Sequence, residues 1–112
     1  MLESIYKFGE VHKLADQIEI GDDRVQFKNI FENNNGGVAL VAFKNGQALS
    51  EHLAPAEIMV CVVEGKVEFT MIDKPHTLNE GEFILVGEGV PHSVVAKANS
   101  KLMIVKVKTD KA

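Results

Sequence analysis

The stretch Gly46-Gln-Ala-Leu-Ser-Glu-His52-Leu-Ala54-Pro-Ala-Glu57-Ile58-Met-Val-Cys-Val-Val-Glu-Gly65 decides the fold, and a second stretch answers it: Gly81-Glu-Phe-Ile-Leu-Val-Gly87-Glu-Gly89-Val-Pro-His92-Ser-Val-Val-Ala96. The first is framed by glycines, the second opens on Gly81 and holds Gly87 and Gly89, and each carries one histidine next to a short β-rich run. Successive side chains of a strand point to opposite faces. His52 and Ala54 therefore share a face, and Ile58, Val60 and Val62 share it too if no bulge intervenes. His92, Val94 and Ala96 form the matching set in the second stretch. Two histidines on two strands could thus approach each other inside an apolar cavity. Ile58–Val63 is apolar on both faces, as expected of a strand buried on both sides, one against a barrel interior and the other against a facing sheet or a subunit.

Outward from these stretches, turn signals recur at short intervals. They are Gly21-Asp-Asp, Asn33-Asn-Asn-Gly-Gly37, Asn45-Gly46, Glu64-Gly65, Asp73-Lys-Pro75, Asn79-Glu-Gly81 and Gly87-Glu-Gly89. Between them lie the runs 24–31, 38–44, 58–63, 66–72, 82–86, 92–96 and 101–108, which predict an all-β barrel or sandwich. In Lys66–Ile72, Val67, Phe69 and Met71 alternate with Lys66, Glu68 and Thr70, so the first set faces the core. In Lys101–Lys108, the lysines Lys106 and Lys108 share a face with Leu102 and Ile104. That pattern assigns the core side to Met103, Val105 and Val107. The first twenty residues form an arm. Ile5, Phe8, Val11 and Leu14 give an imperfect helical stripe broken by Gly9, and Ile18 and Ile20 suggest a short strand.

Composition narrows the function. The chain has 112 residues, which predicts one domain, with an arm over 1–20 and a barrel core over 38–107. Net charge is −4, Arg24 is the only arginine, and basic residues do not cluster. Nucleic-acid and anionic membrane surfaces both need such a cluster. Cys61 is the only cysteine, so an intrachain disulfide and a cysteine metal cluster are excluded. With neither a leader pattern nor a membrane span in view, a reducing cytoplasm is the expected location. His12 reads as a surface residue of the arm. His76, after Pro75, reads as exposed in a turn. The asparagine-glycine run 33–37 lacks phosphate-loop spacing and reads as a hairpin turn.

The two stretches resemble the metal motifs of the small single-domain cupins, the RmlC-like jelly rolls of the cupin superfamily. The first family motif has a glycine, two histidines one residue apart, a glutamate and a closing glycine. Gly46, His52 and Gly65 match it, while Ala54 stands for the second histidine and Ile58 for the glutamate. The second motif has a glycine, a proline, a glycine, a histidine and an asparagine. Gly81, Gly89 and His92 match it, while Gly87 replaces the proline and Ala96 the asparagine. The resemblance implies a double-stranded β-helix, a homodimer, and a divalent metal held by three histidines and a glutamate. Only His52 and His92 carry over as metal ligands, and two imidazoles fall short of the usual three or four protein ligands for Zn, Mn, Fe, Ni or Cu. Glu51 and Glu57 lie on the wrong face by parity, although a bulge at Pro55 would turn Glu57 inward. Cys61 likewise points away from Ile58 and reads as a small buried hydrophobe.

Three roles remain open for the histidine pair: hydrogen bonding to each other or to water, holding an incomplete metal, or acid and base work on a substrate. Whether the chain is an enzyme stays open with them. The first functional reading is a barrel that binds a small, partly apolar molecule through His52, Ala54, Ile58, Val60, His92 and Val94. The second is a metal-dependent enzyme of the dioxygenase, isomerase or cyclase type that uses His52, His92 and a third ligand such as Glu57. The third is metal-free acid and base chemistry by the two histidines on a carbonyl compound.

Overall fold

The structure is a computed structural model and describes residues 2–109. Nine strands follow a short 3-10 turn at Leu14–Gln17. They are β1 (Gln26–Asn33), β2 (Gly36–Phe43), β3 (Ala48–His52), β4 (Ala56–Glu64), β5 (Lys66–Met71), β6 (Lys74–Asn79), β7 (Phe83–Val86), β8 (His92–Ala96) and β9 (Ser100–Lys108). They form two antiparallel sheets, one of five strands in the order β1-β2-β9-β4-β7 and one of four in the order β3-β8-β5-β6. The fold is all-β, a double-stranded β-helix closed over a core between the sheets.

Alternation builds that core. Val41 and Phe43 of β2, Ile58, Val60 and Val62 of β4, Val67 and Phe69 of β5, and Val94 and Ala96 of β8 pack into one cluster. Burying an aliphatic side chain of this size contributes about 1.5–3 kcal/mol, so the interleaved branched residues supply most of the stabilisation. The Gly65 backbone lies at φ +91°, and a Cβ there would sit 2.3 Å from Ser100 Oγ and 2.4 Å from the Asn99 carbonyl. Only glycine meets both demands. Ser100 is fully buried and is satisfied at this corner, since its hydroxyl accepts from Lys66 N–H.

Four expectations are corrected. In β9 the core face is the one bearing the lysines: Leu102 is buried and Ile104 packs on the main core, followed by Lys106 on the same side. Met103 packs on the outer side with Leu40, Ala42, Ile18 and Ile20. The lysines end at the open rim of the barrel, where an ammonium reaches water from an inward-facing position. His76 is half-buried on β6 opposite Phe69, not exposed in a turn. Pro75 sits inside β6, which tolerates it because β6 is an edge strand. The arm makes no α-helix, only the 3-10 turn at Leu14–Gln17. Ile5, Phe8 and Val11 are exposed, while Ile18 is buried against the outer face of β2. Cys61 faces outward as parity requires but is only half-buried.

Candidate functional site

A bulge delivers the first histidine. Leu49 of β3 pairs with Val94, and His52 pairs with His92, so Ser50 and Glu51 together oppose Ser93. Leu49 and His52 are three residues apart and would face opposite ways in a regular strand. The extra residue brings both to the inner face. No bulge at Pro55 turns Glu57 inward: Glu57, Ile58 and Met59 keep regular pairing with β9, as parity predicts.

The two imidazoles are direct cross-strand neighbours. Their centroids lie 4.2 Å apart with planes at 63°. Phe69, on the next strand, stacks on the other side of His92 at 5.6 Å and 17°. His52 Nδ1 lies 3.0 Å from the Ser50 carbonyl, and His92 Nδ1 lies 2.9 Å from the Val90 carbonyl. A carbonyl oxygen only accepts, so each Nδ1 carries the hydrogen and each neutral ring presents a bare Nε2 lone pair. Among the described residues no donor reaches either Nε2. His92 is 4% exposed, yet among the described residues no buried side-chain nitrogen lacks a partner, so its Nε2 keeps some accessible surface. Burial holds His92 below the ordinary imidazole value of 6.5; the Val90 hydrogen bond opposes that shift and the neighbouring His52 adds to it.

Both rings line a cavity of about 210 Å³ between the sheets. Ala54, Ile58, Val60 and Val94 line it as well, so all six residues expected at a ligand site meet there. Lys106 also lines it, from β9 on the opposite sheet. Sequence reasoning missed this residue because a lysine in an alternating strand marks the solvent face. The usable signal was Leu102 and Ile104 at the same parity. A second hollow, a vestibule of about 220 Å³, adjoins the cavity, sharing Ala39, Pro55, Ile104 and Lys106 with it and adding Glu32 and Lys108.

The donors present do not make the four-ligand metal site that the resemblance implies. Ala54 and Ile58 offer no donor atom. Glu57 faces outward, and its Oε2 accepts from Glu88 N–H at 2.7 Å. Lys106, the cross-strand partner of Ile58, puts a cation beside the position of the missing carboxylate. Among the described residues no three histidine, cysteine or acidic groups converge.

The family model of the cupin domain matches residues 39–108. The chain belongs to the cupin family. Solved structures agree with this cupin's fold. A conserved protein of unknown function from Streptococcus pyogenes superposes with a TM-score of 0.86 at 23% identity, over 95% of this chain and 93% of its own. A cupin superfamily protein from Desulfitobacterium hafniense gives 0.87 at 17% identity, over 97% and 99%. An RmlC-like cupin from Desulfovibrio desulfuricans gives 0.79 at 24% identity, over 88% and 95%. At these identities the likeness carries the fold alone. No curated protein matches this cupin.

Proposed function

We propose that this cupin binds a small, partly apolar organic molecule inside its barrel, without a complete metal site. The observation that carries the reading is the pair of bare Nε2 atoms. Both Nδ1 hydrogens are committed to main-chain carbonyls, so the pair offers two acceptors and no donor to the cavity. A ligand hydroxyl or N–H satisfies that arrangement, and the aliphatic walls take the rest of the molecule. The test is ligand-observed NMR with phenol, anisole and toluene. Phenol should bind about fivefold to tenfold tighter than the other two, as one hydrogen bond allows, and His92→Ala should remove the difference. Equal binding of all three, or binding of none, contradicts the reading.

One observation favours the second reading, a metal-dependent enzyme. Histidines that ligate metals usually donate their other ring hydrogen to a carbonyl or carboxylate, as both rings do here. The missing third and fourth donors weigh against it. Acid and base chemistry on a carbonyl compound by His52 and His92 fits the same lone pairs, and it needs the same bound ligand first.

We also propose a homodimer in the cytoplasm. The outer face of the five-stranded sheet supports the dimer. Ile18 covers Leu40 and Ala42 at one end, but Met59, Leu85, Val105 and Val107 line an open hollow further along, with Leu85 65% and Val107 58% exposed. Contiguous apolar surface of this kind marks an interface. Light scattering should report two chains per particle and one for Leu85→Lys; a wild-type monomer contradicts the dimer. The lone cysteine supports a reducing compartment.

A further inference from the structure

We infer that the ligand carries an anionic group as well as a hydrogen-bond donor, and that Lys106 is the residue that selects for the anion. This rests on the reading of the barrel as a ligand pocket and goes one step past it. Lys106 is the one lysine or arginine lining the cavity, and no aspartate or glutamate lines it. Among the described residues the only ion pair is Lys44–Asp22, so the Lys106 ammonium has no carboxylate partner within salt-bridge range. Glu32 is the single acid of the adjoining vestibule, and it makes no such pair. The register places Lys106 against Ile58, so the wall next to the histidines lacks the carboxylate and carries a positive charge.

The placement also sets the shape of the ligand. His52 and His92 belong to the four-stranded sheet, and Lys106 belongs to the five-stranded one. The acceptors and the cation therefore line the cavity from different sheets, with Val60, Val94, Leu102 and Ile104 among its apolar walls. A molecule that donates from one end and carries a carboxylate at the other meets both, with an apolar body across the middle. An apolar cavity of about 150 Å³ takes up benzene, so a cavity of about 210 Å³ suits a single ring with its substituents. An ammonium at a rim binds a carboxylate at modest net gain, because water competes for both.

The test compares para-hydroxybenzoate with para-hydroxybenzamide, which differ in charge and little in shape, by calorimetry or NMR titration at neutral pH. The wild-type protein should prefer the carboxylate by about threefold to fivefold. Lys106→Met should abolish that preference while leaving the amide affinity unchanged. Lys106→Arg should retain most of it, and Lys108→Met, which alters only the vestibule, should change it by less than about twofold. Circular dichroism confirms folding of each variant; Lys106 is exposed enough that its loss leaves the barrel intact. Equal affinity for the two probes in the wild-type protein, or a preference that Lys106→Met leaves in place, overturns the inference while the pocket reading stands. An equal loss in Lys108→Met also overturns it, because the effect then belongs to the general field of the rim. Failure of both probes and of phenol overturns the pocket reading itself.

Discussion

His52 and His92 face each other across neighbouring strands with ring centroids 4.2 Å apart, and each has already given its Nδ1 hydrogen to a carbonyl two residues earlier in the chain. Each neutral ring is therefore held in one tautomer with its lone pair on Nε2, and both residues line the cavity, His92 buried and His52 exposed. That orientation suits a metal or a hydrogen-bond donor equally well. The remaining walls decide between them, because Ala54, Ile58 and Lys106 line the same cavity with aliphatic groups and a positive charge.

The buried imidazole makes stability depend on pH. The folded state holds His92 below 6.5, while the unfolded chain protonates it near the ordinary value. The unfolded state thus binds more protons as pH falls below 6.5, and stability is lost through that window and complete above it. The urea midpoint of the wild-type protein should be lower at about pH 5 than at about pH 7.5. His92→Phe should flatten part of that slope. A slope unchanged by the substitution contradicts the assignment.

The corner between β4 and β5 should tolerate no side chain. Gly65→Ala brings a Cβ against Ser100 Oγ and the Asn99 carbonyl in a left-handed backbone. We expect a loss of about 2–4 kcal/mol in denaturant unfolding, the sum of backbone strain and overpacking. A loss below about 0.5 kcal/mol, the range of ordinary surface changes, contradicts it.

The β5–β6 hairpin carries strain that can be relieved. Its two loop residues, Ile72 and Asp73, have φ of 50° and 60°, the geometry that asparagine and glycine favour. A β-branched residue is poorly suited to it. Ile72 is 67% exposed, so its replacement gives up little burial. Ile72→Asn should raise stability by about 1 kcal/mol, and a decrease contradicts this.

The missing ligands can be put back. Ile58→Glu alone should cost about 2–4 kcal/mol, because a carboxylate replaces a buried aliphatic side chain, with Lys106 offsetting only part of the penalty. Ala54→His with Ile58→Glu supplies four donors with His52 and His92, and its melting temperature should rise on adding zinc or manganese. No rise in the double variant would show that the barrel lacks the geometry as well as the ligands.

Much of this site was legible in the sequence because parity along a strand is a strong rule. It placed His52, Ala54, Ile58 and Val60 on one face and Glu57 on the other, and it put Val67 and Phe69 in the core. It misled in β9, where Lys106 and Lys108 occupy inward parity. A lysine at a barrel rim reaches water from the inner face, so polarity alone inverted the strand. The bulge at Ser50–Glu51 was illegible, since either residue could be the extra one and only pairing with Ser93 reveals it. Strand β6 was hidden by Pro75, whose missing N–H is harmless only because β6 lies at a sheet edge. The family glycines survive where the ligands do not. Gly65 answers to a backbone and packing demand that stays in force whatever the barrel binds.

The measurement that bears most directly on the central claim is the transition-metal content of the protein purified without chelator, read beside His52→Ala and His92→Ala. The account predicts far less than one metal atom per chain in the wild-type protein, with no further drop in either variant. Close to one atom per chain, lost in both variants, would contradict it.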